Sequence, residues 1–206
     1  MTTKHRDVQW RVLWYWPNVI GYVRLALTLA AVYLAWQRPI LFIVLYAIQA
    51  TLDGIDGYVA RRLNQISPFG AWLDVVIDNV SRTLLWCYIA PTFGPLIACL
   101  EWLTFACTHA SGPAWKHQFD DAPEWVAAVM RKGFRTPLGV YVIAGIHVLP
   151  IVLYGRANHV DELFLPAWLS YGSVLILSSG RIYGMCVELW VVARHMRALL
   201  SQPQEA

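Results

Sequence analysis

Charge is scarce in this sequence. Asp, Glu, Lys and Arg together make up 14% of its 206 residues, against about 25% in an ordinary soluble domain. The basic groups outnumber the acidic ones by only three, which excludes a polyanion-binding tail and leaves no reason to expect a nucleic-acid partner. Cysteine is sparse too: Cys87, Cys99, Cys107 and Cys186 lie in apolar runs without a C-x-x-C spacing. They are expected to be small buried hydrophobes with no disulfide among them. The N-terminal stretch has no long apolar core and no small-residue cleavage site, so a secretory signal is not expected there. There is no internal repeat and no low-complexity segment.

Apolar residues are what the chain has in excess, at 58% of the total. A body of this size cannot hide that much apolar surface from water, so lipid is the expected solvent. Segments long enough to cross about 30 Å of hydrocarbon at 1.5 Å per residue fall near 18–36, 40–63, 69–90, 93–112, 135–155 and 168–195. The reading is an all-α integral membrane protein forming a single domain over 1–206. Residues 1–17 make an interfacial amphipathic helix, 18–200 a bundle of six transmembrane helices and 201–206 a tail. Lys4, Arg6 and Arg11 among Trp10, Trp14 and Trp16 suit an interfacial helix.

Orientation follows from the loops, because Lys and Arg are retained on the cytoplasmic side. Lys4, Arg6, Arg11, Arg61, Arg62, Lys116, Arg131, Lys132, Arg135, Arg194 and Arg197 fall on one side of a six-span arrangement, and only Arg38 and Arg156 on the other. Both termini are therefore expected in the cytoplasm. Arg24, Arg82 and Arg181 lie inside spans, where charge is costly and tends to mark function.

The carboxylates inside the spans are the most informative residues. Asp53 and Asp56 are three apart, Asp74 and Asp78 four apart, so each pair shares one face of its own helix. Measured from a turn near Ile66 at 1.5 Å per residue, the first pair sits roughly 20 and 15 Å up one helix and the second roughly 12 and 18 Å up the next. All four then meet at similar depth. Each costs about 2.5 to 3.5 kcal/mol at a span centre, so a cation must neutralise them. Oxygen ligands without neighbouring His or Cys favour Mg²⁺ or Mn²⁺, and four carboxylates suffice for two such ions.

Beside these carboxylates Gly57, Ala60 and Gly70 leave a groove without side-chain walls, where a flat ring or a diphosphate can approach the backbone. Arg61 stands at its cytoplasmic end, suited to a phosphate. Arg135 opens the fifth span and Arg181 lies in the sixth, which makes both candidates for contacts to an acceptor. His109, Ser111 and Lys116 are weaker ones. Arg82 and Glu101 lie at matching distances from the turn near Thr92 and are expected to form a buried structural pair.

Asp53 and the D-G-x-x-A-R run from Asp56 to Arg61, then eight residues, then G-x-x-x-D-x-x-x-D over Gly70, Asp74 and Asp78, resemble the signature of the CDP-alcohol phosphotransferase family. Pro17-Asn18-Val19-Ile20-Gly21-Tyr22-Val23-Arg24 is similar to the opening of its eukaryotic phosphatidylinositol synthase branch. Leu63-Asn64-Gln65 and Phe69-Gly70-Ala71 are similar to that branch's loop and third helix. That resemblance implies CDP-diacylglycerol as donor, myo-inositol as acceptor and CMP as leaving group, with Asp53, Asp56 and Asp74 as metal ligands. It implies Asp78 as the catalytic base with metal contact, and Asn18, Gly57, Ala60, Arg61 and Gly70 around the donor. A homodimer with its site on the cytoplasmic side, in the endoplasmic reticulum membrane of a eukaryote, is also implied. Asn79 departs from the Arg usual in that branch, which leaves glycerol 3-phosphate, serine or an inositol phosphate as other acceptors. A divalent-cation transporter with a four-Asp site is the non-enzymatic alternative.

Overall fold

The computed structural model describes residues 8–110, 119–201. Ser111, Lys116, Lys4, Arg6 and most of the expected tail lie outside the described residues. Among those described, secondary structure is entirely helical: α1 (Trp16–Leu34), α2 (Pro39–Arg62), α3 (Pro68–Ile89), α4 (Gly94–Ala110), α5 (Glu124–Met130), α6 (Pro137–His147), α7 (Leu149–Ala157) and α8 (Ala167–Leu200). Five of the six expected segments correspond to single helices with ends shifted by a few residues. The described part of the expected interfacial helix is a five-residue 3-10 turn, Trp10–Trp14, with Trp10, Trp14 and Trp16 exposed.

The fifth expected span is present as the apolar stretch Pro137–Ala157, interrupted within its length. Pro150 stands at the start of α7, lacks a backbone N–H and crowds the carbonyl four residues earlier, so the run divides into α6 and α7 at Val148. Between the fourth and fifth expected segments lies a further short helix, α5, which buries Val126 and Val129. Among the described residues, four stretches are long and apolar enough to cross a membrane: Trp16–Leu34, Pro39–Arg62, Pro137–Ala157 and Ala167–Leu200. The first two of them contribute to the candidate site described below. α3 carries Asp74, Asp78 and Arg82, and described α4 has 17 residues, which is why neither qualifies on apolarity and length. The chain is an integral membrane protein by these helices. Large apolar side chains such as Leu29, Val44, Leu96, Leu175 and Ile176 point outward, as lipid allows. The same solvent corrects the cysteine expectation: Cys107 is buried, whereas Cys87, Cys99 and Cys186 are exposed on outer helix faces. All four are free thiols.

Two compact units divide the chain after Ser81, within α3. In the first, α1 packs along α2. Its buried face runs Asn18, Gly21, Arg24, Thr28, Ala31, a three-and-four spacing that makes one stripe of a helix. On α2 the corresponding face is Phe42, Tyr46, Gln49 and Asp56. α2 ends in a Schellman turn, with Asn64 left-handed at φ 53° and Gln65 N–H donating to Ala60 O at 2.9 Å. Ser67 then caps α3 by accepting from Gly70 N–H at 3.0 Å, and Pro68 takes the first helical position, where its missing donor is harmless. Arg61 and Arg62 occupy the last turn of α2, where positive charge faces the negative end of the helix dipole.

In the second unit α4, α6 and α7 pack on α8. The crossing of α6 and α8 depends on glycine: a Cβ on Gly145 would lie 2.3 Å from Arg181 N and 2.5 Å from Gly180 C, closer than any real Cβ comes to backbone. Small residues allow this approach in lipid, where packing rather than the hydrophobic effect joins helices. Gly145→Ala is therefore expected to destabilise the protein by on the order of 3 kcal/mol, read as a lowered thermal midpoint in detergent. An unchanged midpoint would show that the two helices do not meet there.

Candidate active site

Asp53 and Asp56 project from α2 and Asp74 and Asp78 from α3, and all four converge on one guanidinium, that of Arg24 from α1. Arg24 Nη2 is 2.6 Å from Asp53 Oδ1 and 2.7 Å from Asp78 Oδ1. Its Nη1 is 2.7 Å from Asp56 Oδ2 and 2.6 Å from Asp74 Oδ1. The arginine has no exposed surface, whereas the side chains of Asp53 and Asp74 are 41% and 45% exposed. The carboxylates thus open outward while the cation beneath them is sealed. Thr28 Oγ1 sits one turn along α1, donating to Arg24 O at 3.0 Å and lying 3.0 Å from Ser81 Oγ.

A metal ion fits this donor set. Asp53, Asp56 and Asp74 each offer one oxygen, and these lie within 4.8 Å of one another. The donors are all oxygen, which matches hard divalent cations. Four carboxylates meet one guanidinium here, a balance compatible with a divalent cation beside Arg24.

Alongside the carboxylates, a cavity of about 280 Å³ is lined by Asn18, Asp56, Gly57, Ala60, Arg61, Gly70 and Asp74. All five residues expected around a donor therefore share one space with two of the aspartates. Arg61 arches over Gly57, its Nη1 3.4 Å from where a Cβ would stand. Asn18 is buried, and its Nδ2 donates to Val12 O at 2.6 Å. That bond holds Asn18 Oδ1 against Gly70, 2.8 Å from the position of a Cβ there. Gln65 and Ser67 also line the cavity. Gln65 Oε1 accepts from Trp16 N–H at 2.9 Å, fastening the start of α1 to the turn after α2. Neither was given a site role from sequence, although both lie in the loop between the two motif helices and Gln65 belongs to the Leu63-Asn64-Gln65 run.

Arg24 is the main residue that sequence reasoning left unplaced. It stands out as an intramembrane charge, and the stripe Asn18, Gly21, Arg24, Thr28 puts it on the face of α1 that carries the other polar groups. Following that stripe finds it.

The remaining candidates belong to the second unit. Arg135 is exposed, directly before Thr136, whose side chain caps α6 by accepting from Gly139 N–H at 3.0 Å. Arg181 is buried, with Nη1 2.9 Å from Glu188 Oε2 and Nη2 3.1 Å from Glu101 Oε1. Glu101 Oε2 in turn accepts from Arg82 Nε at 2.7 Å, so the expected Arg82–Glu101 pair is present and larger than expected. His109 lies with its ring on Phe105, centroids 5.5 Å apart.

With this geometry in hand, comparison with known proteins is specific. Residues 14–115 match the CDP-alcohol phosphatidyltransferase family, a range holding every one of the four aspartates and the five cavity residues. A probable CDP-diacylglycerol–inositol 3-phosphatidyltransferase 2 of Arabidopsis thaliana is 31% identical over 168 residues, 77% of this chain and 74% of the relative. The CDP-diacylglycerol–inositol 3-phosphatidyltransferase 1 of the same plant is 34% identical over 165 residues, 73% of this chain and 70% of the relative. The Saccharomyces cerevisiae CDP-diacylglycerol–inositol 3-phosphatidyltransferase is 42% identical over 78 residues, 38% of this chain and 36% of the relative. No solved structure matches the chain. From the match over the aspartate motif and the similarity to relatives along most of their length, the chain belongs to the CDP-alcohol phosphatidyltransferase family.

Proposed function

We propose that the protein makes phosphatidylinositol, transferring a phosphatidyl group from CDP-diacylglycerol to a hydroxyl of myo-inositol and releasing CMP. The observation that carries this reading is the convergence of Asp53, Asp56, Asp74 and Asp78 beside a cavity lined by Asn18, Gly57, Ala60, Arg61 and Gly70. The acceptor comes from the inositol-specific names of the relatives that span most of the chain.

Asp53, Asp56 and Asp74, with a further contact from Asp78, would hold Mg²⁺ or Mn²⁺, and four carboxylates have the charge for two ions. Divalent ions bound there supply neutralisation of the diphosphate and of the charge that grows on the departing CMP. The chain's own residues do the rest. Gly57, Ala60 and Gly70 leave room for the cytidine and diphosphate against the backbone, Arg61 pairs with a phosphate, and Asn18 contacts the diphosphate. Asp78 takes the proton from the attacking hydroxyl as that oxygen bonds to the phosphorus bearing diacylglycerol, and the phosphorus–oxygen bond to CMP breaks. Arg135 and Arg181 are the acceptor candidates. Of the two, Arg135 is exposed, whereas the Arg181 guanidinium already serves Glu188 and Glu101.

The fold proposed around this site has six membrane-spanning helices, α3 and α4 included, entered through an interfacial N-terminal helix. The bias of Lys and Arg among the loops supports a site near the cytoplasmic headgroups, where lipid tails stay in the bilayer while inositol and CMP exchange with water. In a eukaryote that membrane is the endoplasmic reticulum. The assembly proposed is a homodimer.

Purified protein supplied with CDP-diacylglycerol, Mg²⁺ or Mn²⁺ and one acceptor at a time tests the reading. Phosphatidylinositol with CMP released in equal amount is the expected outcome. Product from glycerol 3-phosphate, serine or an inositol phosphate instead would move the acceptor, and metal flux through vesicles without any lipid product would replace the enzyme with a cation transporter.

The cavity makes a narrower prediction. Asn18 is held by Val12, so a methyl at Gly70 must push its Oδ1 into the cavity. Gly70→Ala is expected to raise KM for CDP-diacylglycerol about tenfold while leaving KM for the acceptor unchanged, the mark of lost donor binding. An effect confined to the acceptor would place the donor elsewhere.

A further inference from the structure

We propose that Arg24 is a tethered counter-cation: it gathers the four aspartates before metal arrives and competes with metal for them. This rests on the metal-site reading above and assigns a positioning residue to it. One guanidinium spans two carboxylates of α2 and two of α3, each at 2.6 to 2.7 Å. An arginine engaged in an ordinary pair serves one carboxylate in a bidentate fork. Here each Nη nitrogen bridges α2 to α3, so the cation sits between the helices in the way a shared ion does. Without it, four carboxylates on adjacent helices repel one another across a medium that screens poorly.

Among the described residues, the ion pairs of the guanidinium are those to the four carboxylates. Its Nε is buried and has no hydrogen-bond partner, and the hydroxyl of neighbouring Thr28 is turned to the Arg24 carbonyl rather than to the side chain. Arg24 is fully buried, and the contacts that orient its guanidinium are the ones a metal would take over. Asp53, Asp56 and Asp74, the residues whose oxygens are close enough to share a metal, are three of the four that Arg24 holds. A metal and Arg24 therefore draw on the same carboxylates. The apparent metal affinity of the intact protein is then lower than the aspartates alone would give, and Arg24 sets it.

The test is Mn²⁺ binding, followed by electron paramagnetic resonance on purified protein without substrate, together with thermal unfolding in chelator and in Mn²⁺. Arg24→Gln removes the competing charge at about hydrogen-bonding distance and is expected to tighten Mn²⁺ binding by about ten- to a hundredfold. It is also expected to lower the midpoint in chelator more than the midpoint in Mn²⁺. A merely structural arginine would lower both midpoints equally and leave the Mn²⁺ dissociation constant unchanged, and that result, or weaker binding, overturns the proposal. Should Arg24→Gln fail to fold, Arg24→Lys serves: its compact ammonium cannot reach four carboxylates, so tighter binding by a smaller factor is expected, and unchanged or weaker binding again overturns it. Wild-type protein that binds no Mn²⁺ at millimolar concentration would defeat the metal reading itself, whereas wild-type binding with no gain in the variants defeats only the role of Arg24.

Discussion

Asp78→Asn is expected to cut phosphatidyl transfer by about a hundred- to ten-thousandfold, the range a positioned general base supplies, while the protein stays folded and metal-loaded. Asparagine has nearly the shape of aspartate and keeps an oxygen that accepts from Arg24, so the contact at 2.7 Å has a replacement. The guanidinium also retains three other carboxylates, and the packing of α1 against its neighbours is not disturbed. What the amide lacks is the basicity to take a proton from a hydroxyl. The loss should accordingly fall on kcat with KM for CDP-diacylglycerol little changed, and extra Mn²⁺ should not restore it. Asp53→Asn, Asp56→Asn and Asp74→Asn should behave differently, shifting the metal concentration needed for half-maximal rate because they remove ligand charge. Turnover by Asp78→Asn at the wild-type rate would take Asp78 out of the proton-accepting role. Rescue by excess metal would make it a ligand like the others.

Much of this site is legible in the sequence because its chemistry depends on spacing. Spacings of three from Asp53 to Asp56 and of four from Asp74 to Asp78 place each pair on one helix face, and a five-residue turn fixes the two helices at a common depth. The observed convergence of the four carboxylates is what that spacing implies. The helices themselves are equally plain, since apolar runs of span length have few alternatives in lipid. Arg24 was harder. A lone charge in an apolar helix names no partner, and its partners lie 29 to 54 residues away on two other helices. The break between α6 and α7 was written in Pro150 but lost in a run otherwise apolar throughout, and α5 was hidden because a seven-residue helix is too short to show a period. Cysteine exposure was misjudged for a simpler reason: in lipid an apolar neighbourhood does not imply burial.

Charge balance separates two ionic clusters among the described residues. Around Arg24, four carboxylates face one guanidinium, a balance that suits the proposed divalent cations. In the second unit, Arg82 and Arg181 face Glu101 and Glu188, two charges of each sign, with Arg82 Nη1 3.3 Å from the His147 ring. These four charges balance, and the network joins α3, α4 and α8 where lipid supplies no water to solvate a stray charge. Glu101 is its centre, since each of its oxygens accepts from a different arginine. Glu101→Gln leaves one net positive charge buried and is expected to cost about 3 to 5 kcal/mol, the penalty for breaking a buried pair from one side, measured as a fall in thermal midpoint and in the yield of monodisperse protein. Arg82→Leu alone leaves one net negative charge and should cost a similar amount. The double variant keeps only the Arg181–Glu188 pair, neutral again, so its cost should fall below the sum of the singles by more than about 1 kcal/mol. Additive losses would mean that Arg82 and Glu101 stabilise the bundle independently, and the network would then be two separate contacts that happen to be close.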